Sequence, residues 1–306
     1  MNKKIDATAW LLFIVLCLIW GSSFVLMMKS LELHNAYEVA ALRMLGGGLV
    51  LLPLAFGAFK RATGRQILLT ILSGFLGSFF PAILFCLAET KVDSSFAGML
   101  NSTTPIFILI VGALFFKAKI AKIKWIGIIV GLVGSVILIV AYFQKKFIDP
   151  TYNVGNIYFA LLVTLATIFY GFNVNMVGKT LSTMSSNDIA AIALTSLIPI
   201  SVGILIYTGY FTKNNFANVN VQLATGYALI LGIVGTAFAS ILFYVLVKRT
   251  SFVFAGLVTY GIPFVATTWG IILFNDVISI LQYLGLFIIL GGVYIANLNF
   301  KTNLKQ

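Results

Sequence analysis

Residues 85–107 read FCLAETKVDSSFAGMLNSTTPIF, and residues 243–265 read FYVLVKRTSFVFAGLVTYGIPFV. At a constant offset of 158 positions the triplet Phe96-Ala97-Gly98 returns as Phe254-Ala255-Gly256, and Pro105 returns as Pro263. The same offset carries Ile83-Leu84-Phe85 onto Ile241-Leu242-Phe243, and Gly77, Gly112, Gly127 and Gly134 onto Gly235, Gly270, Gly285 and Gly292. Nearer the N-terminus the offset is 150, pairing Trp20-Gly21 with Tyr170-Gly171, Lys29 with Lys179 and Glu38 with Asp188. The extra residues fall around Tyr210 to Asn220, a stretch that reads as a loop and tolerates insertion. Chance similarity between two apolar helices would not keep one register across a triplet, a proline and four glycines. The chain reads as a duplication, residues 1–146 and 147–306.

Composition sets the medium. Apolar residues make up 60% of the 306 positions and charged residues 9%, with a mean hydropathy of +1.06. Ordinary soluble domains carry about 25% charged residues, so the chain faces lipid. A span needs about 20 mostly apolar residues, and ten segments qualify: 8–29, 36–58, 66–88, 94–116, 123–143, 155–178, 187–209, 221–247, 251–274 and 280–298. Lipid offers the backbone no partners, so each run is a helix or part of a closed barrel. Barrel strands are half this length and alternate in polarity, which leaves helices. The expected fold is an all-α integral membrane protein of ten transmembrane helices.

The net charge of +12 sits in short clusters between the apolar runs, such as Lys60, Arg61 and Arg65, or Lys117, Lys119, Lys122 and Lys124. No cluster forms the continuous basic face of a nucleic-acid binder. With both termini in the cytoplasm, fourteen of the 20 Lys and Arg lie on the inner side and five on the outer, as orientation in a bilayer requires. Lys3 and Lys4 precede a run of spanning length, which reads as an uncleaved first helix. Five helices per copy is an odd number, so the second copy enters from the opposite side. Inverted repeats recur in secondary transporters, with substrate held near the midplane between them.

Four stretches carry a family resemblance: Ile19-Trp20-Gly21-Ser22-Ser23-Phe24, Glu38 to Met44 with Arg43 inside it, Ser102 to Phe107, and Trp125-Ile126-Gly127 leading to Gly134. In this order and spacing the chain resembles the drug/metabolite transporter superfamily, specifically its EamA-type ten-helix exporters. The resemblance implies an inner-membrane exporter or exchanger of small metabolites, such as amino acids or amphiphiles. It also implies a cavity lined by the first, third, fourth, sixth, eighth and ninth helices. Two departures stand out. Ala118 takes the place of an acid past the fourth helix, which Asp276 keeps in the second half, and Ala193 stands opposite Arg43.

No His–carboxylate cluster, phosphate loop or metal spacing is present, so neither cofactor nor metal is expected and enzyme activity is disfavoured. Cys17 and Cys86 read as packing residues and His34 as a lone loop histidine. Polar groups at membrane depth usually face a cavity or a partner. Arg43 is the sharpest of these. It either offers a guanidinium to a substrate carboxylate, with Asn101 and Thr104 nearby, or holds helices together through Glu38, Glu89 or Asp93. Trp20, Tyr170, Tyr260 and Trp269 are candidate aromatic walls, each equally readable as packing. Asn173 and Thr259 are candidate polar contacts; Asn173 and Asn175 cannot share a helix face. Pro105 and Pro263 read as a symmetric pair of kinks, which either hinge a rocking motion or merely shape the bundle. All acids lie near helix ends, so no central carboxylate is expected. A small solute and the lipid bilayer are the expected partners, and oligomeric state is not legible. A sugar-phosphate or nucleotide-sugar exchanger is the alternative transporter reading, and a membrane-embedded enzyme or structural subunit a weaker one.

Overall fold

The computed structural model describes residues 6–118, 121–148, 157–250 and 258–297. Described residues are helical almost throughout. In chain order the helices are α1 (Ala7–Leu31), α2 (Ala36–Arg61), α3 (Gly64–Gly74), α4 (Phe80–Glu89), α5 (Ser94–Asn101), α6 (Thr104–Phe116), α7 (Lys122–Ile148) and α8 (Ile157–Thr180). There follow α9 (Ser186–Thr195), α10 (Ile198–Tyr207), the short α11 (Tyr210–Lys213), α12 (Val219–Gly232), α13 (Ala239–Arg249), α14 (Val258–Phe274) and α15 (Ile280–Asn297). Wide π-helical turns, Phe75–Phe79 and Ile233–Phe238, join α3 to α4 and α12 to α13.

Among the described residues seven helical stretches are long and apolar enough to cross a membrane, and α5 with α6 makes an eighth if that bent pair is one span. α14 and α15 are shorter apolar helices. Residues 251–257, expected to open the ninth span, lie outside the described residues, as do both chain ends. The helix starts follow local chemistry. Asn35 and Glu38 form a capping box at α2, Thr63 and Gln66 another at α3, and Asp6 accepts from the Ala9 N–H at α1.

One expectation changes. The run 94–116 is not one helix: it breaks after Asn101 and bends by 40° before Thr104. Pro105 sits in the first turn of the new helix, where its missing N–H costs nothing. Pro263 lies inside α14 with helix on both sides. The two prolines therefore do not form the symmetric kink that their spacing suggests.

Packing is governed by glycines that let backbones touch. Gly74 of α3 faces the Ala193 carbonyl of α9, where an added Cβ would lie 2.6 Å from the oxygen. Gly232 of α12 faces the Arg43 carbonyl of α2 even more tightly. Gly21 of α1 rests on Ile262 and Val265 of α14, and Gly171 of α8 on Phe107 and Val111 of α6. α7 and α15 run antiparallel, Gly127 against Gly292 and Gly134 against Gly285. Lipid-facing helices gain little from hydrophobic exclusion, so this close dispersion contact is what associates them.

Two measurements follow from the packing. Gly232→Ala is expected to destabilise the protein by about 1–3 kcal/mol through overpacking against the backbone, and Gly178→Ala, which meets nothing within 4 Å, to leave melting in detergent unchanged. His34, in the turn between α1 and α2, is buried with Nε2 3.0 Å from Thr225 Oγ1. Burial lowers its pKa from 6.5, against the opposing charge of Glu38. The unfolded chain then takes up a proton first, so thermal stability should fall as pH drops below about 6.5, and His34→Gln should flatten that slope.

Candidate functional site

A cavity of about 260 Å³ lies inside the helix bundle. Its floor is built by the two π-turns. A π-turn shifts the backbone hydrogen-bond register by one residue and so frees a carbonyl. In the second, the Ala239 N–H reaches back to the Val234 and Thr236 carbonyls, and the Gly235 carbonyl instead accepts the Trp20 indole N–H at 3.0 Å. Gly77 and Ser78 of the first π-turn and Gly235 and Thr236 of the second all line the cavity. The glycines have no side chain to fill it. Neighbouring side chains use that space: Asn173 packs against Gly77 and Ser23 against Gly235.

The remaining walls are contributed by several helices. Trp20, Phe24 and Met27 come from α1, and Phe85 from α4. Asn101 and Thr104 flank the break between α5 and α6, where the Thr104 hydroxyl donates to the Asn101 backbone and side-chain oxygens at 2.7 and 3.1 Å. Tyr170 comes from α8, Ser240 from α13, and Thr259 and Ile262 from α14. α7 and α15 contribute none of the lining residues. Trp20 leans on Phe243, and Phe85 on Tyr170, which fixes the aromatic walls in place.

Arg43 enters from α2 and is the one charged residue on the lining among the described residues. Its Nε donates to Thr236 Oγ1 at 3.1 Å. Among the described residues it makes no ion pair. Glu38, one of its suggested partners, is taken by Lys213 at 2.6 Å. The Glu89 oxygens have no hydrogen-bond partner there. The cavity thus presents a cation anchored at one nitrogen, with aromatic faces and hydroxyls around it.

Of the residues singled out from sequence, the fold brings Trp20, Arg43, Asn101, Thr104, Tyr170 and Thr259 to this one cavity. Asn173, Tyr260 and Trp269 are not on its lining. Asn173 accepts from Ser73 Oγ at 2.6 Å, and the Trp269 indole donates to Ser22 Oγ at 2.9 Å. Asn175 donates to the Ile108 and Gly171 carbonyls and so splices α8 to α6. Asp276, the acid expected at the place of a family glutamate, accepts from Ser95 Oγ at 2.5 Å. Thr236, Ser78 and Ser240 were not visible beforehand, because hydroxyls in apolar helices commonly bond their own backbone. Gly77 and Gly235 left a trace, the repeat spacing, though not their π-turns.

Trp20→Phe leaves the buried Gly235 carbonyl without its donor and should cost about 1–3 kcal/mol. Trp269→Phe frees only a hydroxyl that can rotate, and should cost less. Paired thermal melts of the two variants check the order.

The EamA-like transporter family model matches residues 7–140 and 157–298. An uncharacterized transporter of Archaeoglobus fulgidus is 25% identical over 288 residues, covering 94% of this chain and 97% of that protein. The uncharacterized inner membrane transporter YedA of Escherichia coli K12 is 25% identical over 287 residues, 92% of this chain and 88% of that one. The uncharacterized transporter YdfC of Bacillus subtilis is 30% identical over 163 residues, and the matched part spans about half of each chain, 53% and 52%. A solved crystal structure shares the fold at a TM-score of 0.58 and 18% identity, covering 95% of this chain and 96% of that one. The chain belongs to the EamA-like transporter family and is a multi-span membrane transporter.

Proposed function

We propose, on the premise of that membership, that the chain carries a small metabolite with one carboxylate and an apolar or aromatic body across the membrane by alternating access. The observation behind this is Arg43: a single cation among the described lining residues, free of ion pairs among them, in a cavity rich in aromatic rings and hydroxyls. A guanidinium binds a carboxylate through paired hydrogen bonds. Ring faces suit an apolar or amine-bearing body. Ligand pockets run from about 300 Å³ upward, so this one suits a metabolite of amino-acid size. A sugar phosphate would ask for more than one cation, and the lining offers one.

Alternating access is read from symmetry. The π-turns begin at Phe75 and Ile233, 158 positions apart. Lys117 and Asn275, at the same offset, both adopt positive φ, 55° and 56°. Each stands in an equivalent turn, with Ala118 N–H on the Gly112 carbonyl and Asp276 N–H on that of Gly270. The antiparallel crossing of Gly127 on Gly292 and Gly134 on Gly285 maps onto itself when the halves are exchanged. These features support ten helices as two inverted repeats, and the Lys and Arg distribution supports both termini in the cytoplasm. Two ion pairs fit a two-sided mechanism: Arg61 with Asp188 at one end of the bundle, Lys213 with Glu38 at the other.

Both parts are open to test. L-phenylalanine should raise the melting temperature of the purified protein and L-phenylalaninamide should not, with the effect lost in Arg43→Ala. Stabilisation by sugar phosphates instead would overturn the carboxylate reading. Cys17 and Cys86 are buried, so new cysteines report topology cleanly. A membrane-impermeant maleimide added outside cells should label Asn215→Cys and spare Ala62→Cys; the reverse pattern would invert the orientation.

A further inference from the structure

Glu89 ends α4, where a carboxylate ordinarily meets water, yet it is only 3% exposed. The chain surfaces at Thr90 and Lys91 and is buried again at Val92, Ser94, Ser95 and Phe96. Neither Glu89 oxygen has a hydrogen-bond partner among the described residues, and the side chain is in no ion pair there. An ionised carboxylate so placed is desolvated, a cost with no hydrogen bond or ion pair among the described residues to offset it. Holding a proton removes that cost.

Its surroundings tie it to the cavity. Glu89 lies four residues beyond Phe85, on the same helix face and about 6 Å farther along, and Phe85 lines the cavity. Arg43 from α2 and Asp276 beyond α14 are the charged groups whose fields reach it. Cys86 on its own helix feels both Arg43 and Glu89, and Tyr170 from α8 feels Arg43 and Cys86. Asp276 is engaged by the Ser95 hydroxyl and N–H, whereas among the described residues Arg43 spends only its Nε, on Thr236. Arg43 is therefore the charge for which Glu89 and a bound anion would compete.

We propose that Glu89 is a proton-binding site linked to the anion position at Arg43, so that one proton and one carboxylate substrate bind together. This rests on the reading of Arg43 as that anion position. Where the empty site has lost that proton, substrate entry draws one from water onto a Glu89 oxygen, and the neutral carboxyl leaves the guanidinium to the substrate. As substrate leaves, the O–H bond breaks and the proton returns to water. Only that bond forms and breaks. A chain that carries both together across the membrane couples substrate movement to the proton gradient.

Two measurements on the full-length protein in detergent test this. Infrared spectra at neutral pH should show a protonated-carboxyl band that Glu89→Gln removes; a spectrum unchanged by the substitution would overturn the proton site. Across the pH range in which that band disappears from the substrate-free protein, the Kd of L-phenylalanine should weaken with rising pH, by up to about tenfold per pH unit, the limit for one linked proton, and Glu89→Gln should hold it at the acid-side value. Affinity of the unaltered protein that is independent of pH across that range would overturn the linkage whether or not the variant folds. If L-phenylalanine fails to bind at every pH, the carboxylate reading of Arg43 falls and the linkage with it, while the infrared band still decides whether Glu89 holds a proton.

Discussion

The structure depends on the close backbone crossing of α2 with α12, where Gly232 admits the Arg43 carbonyl, and of α3 with α9, where Gly74 admits that of Ala193. In lipid there is little hydrophobic gain in bringing two apolar helices together, so association relies on intimate contact and on the few polar bonds available. Each crossing joins one half of the chain to the other. The same holds for α1 on α14 and α8 on α6. Neither half is packed as a self-contained bundle, and the cavity lies where the halves meet. Its position follows from the crossings.

The crossings also explain why Arg43 can be held inside. Its own carbonyl is pinned against Gly232, four residues before Thr236, and its side chain bonds Thr236 on the adjoining π-turn. Backbone and side chain are thus fixed by the same short segment of the opposite half. The π-turn that supplies Thr236 also supplies the carbonyl that holds Trp20. One local departure from α-helical geometry orients the cation and an aromatic wall together. π-turns inside helices frequently mark functional sites, and here each of the two contributes a glycine and a hydroxyl to the cavity.

Much of this was legible before the fold. The helical runs agree with the observed helices to within a few residues at most ends, because lipid leaves the backbone one solution per apolar run. Six residues of the cavity lining were legible because a polar or aromatic group in an apolar helix is conspicuous. Asn173 was equally conspicuous, yet its partner is Ser73. A buried amide needs a partner, and the sequence does not say whether that partner is substrate or another helix. Pro105 and Pro263 show the same limit. Equal spacing does not make equal kinks, since one proline follows a helix break and the other sits within a helix.

By itself, then, the sequence determined the medium, the helical class and the duplicated pattern, since these follow from hydropathy, run length and register along one chain. It also marked Arg43 as anomalous. Only the tertiary structure decided which of the marked residues meet, because that depends on which helix faces which across the two halves. Glu89 is the clearest case. Its place at a helix end predicts water, and the helices packed around it deny it, although Thr90 and Lys91 just beyond are exposed. A residue's depth in the chain pattern is local, but its access to solvent is set by everything packed around it.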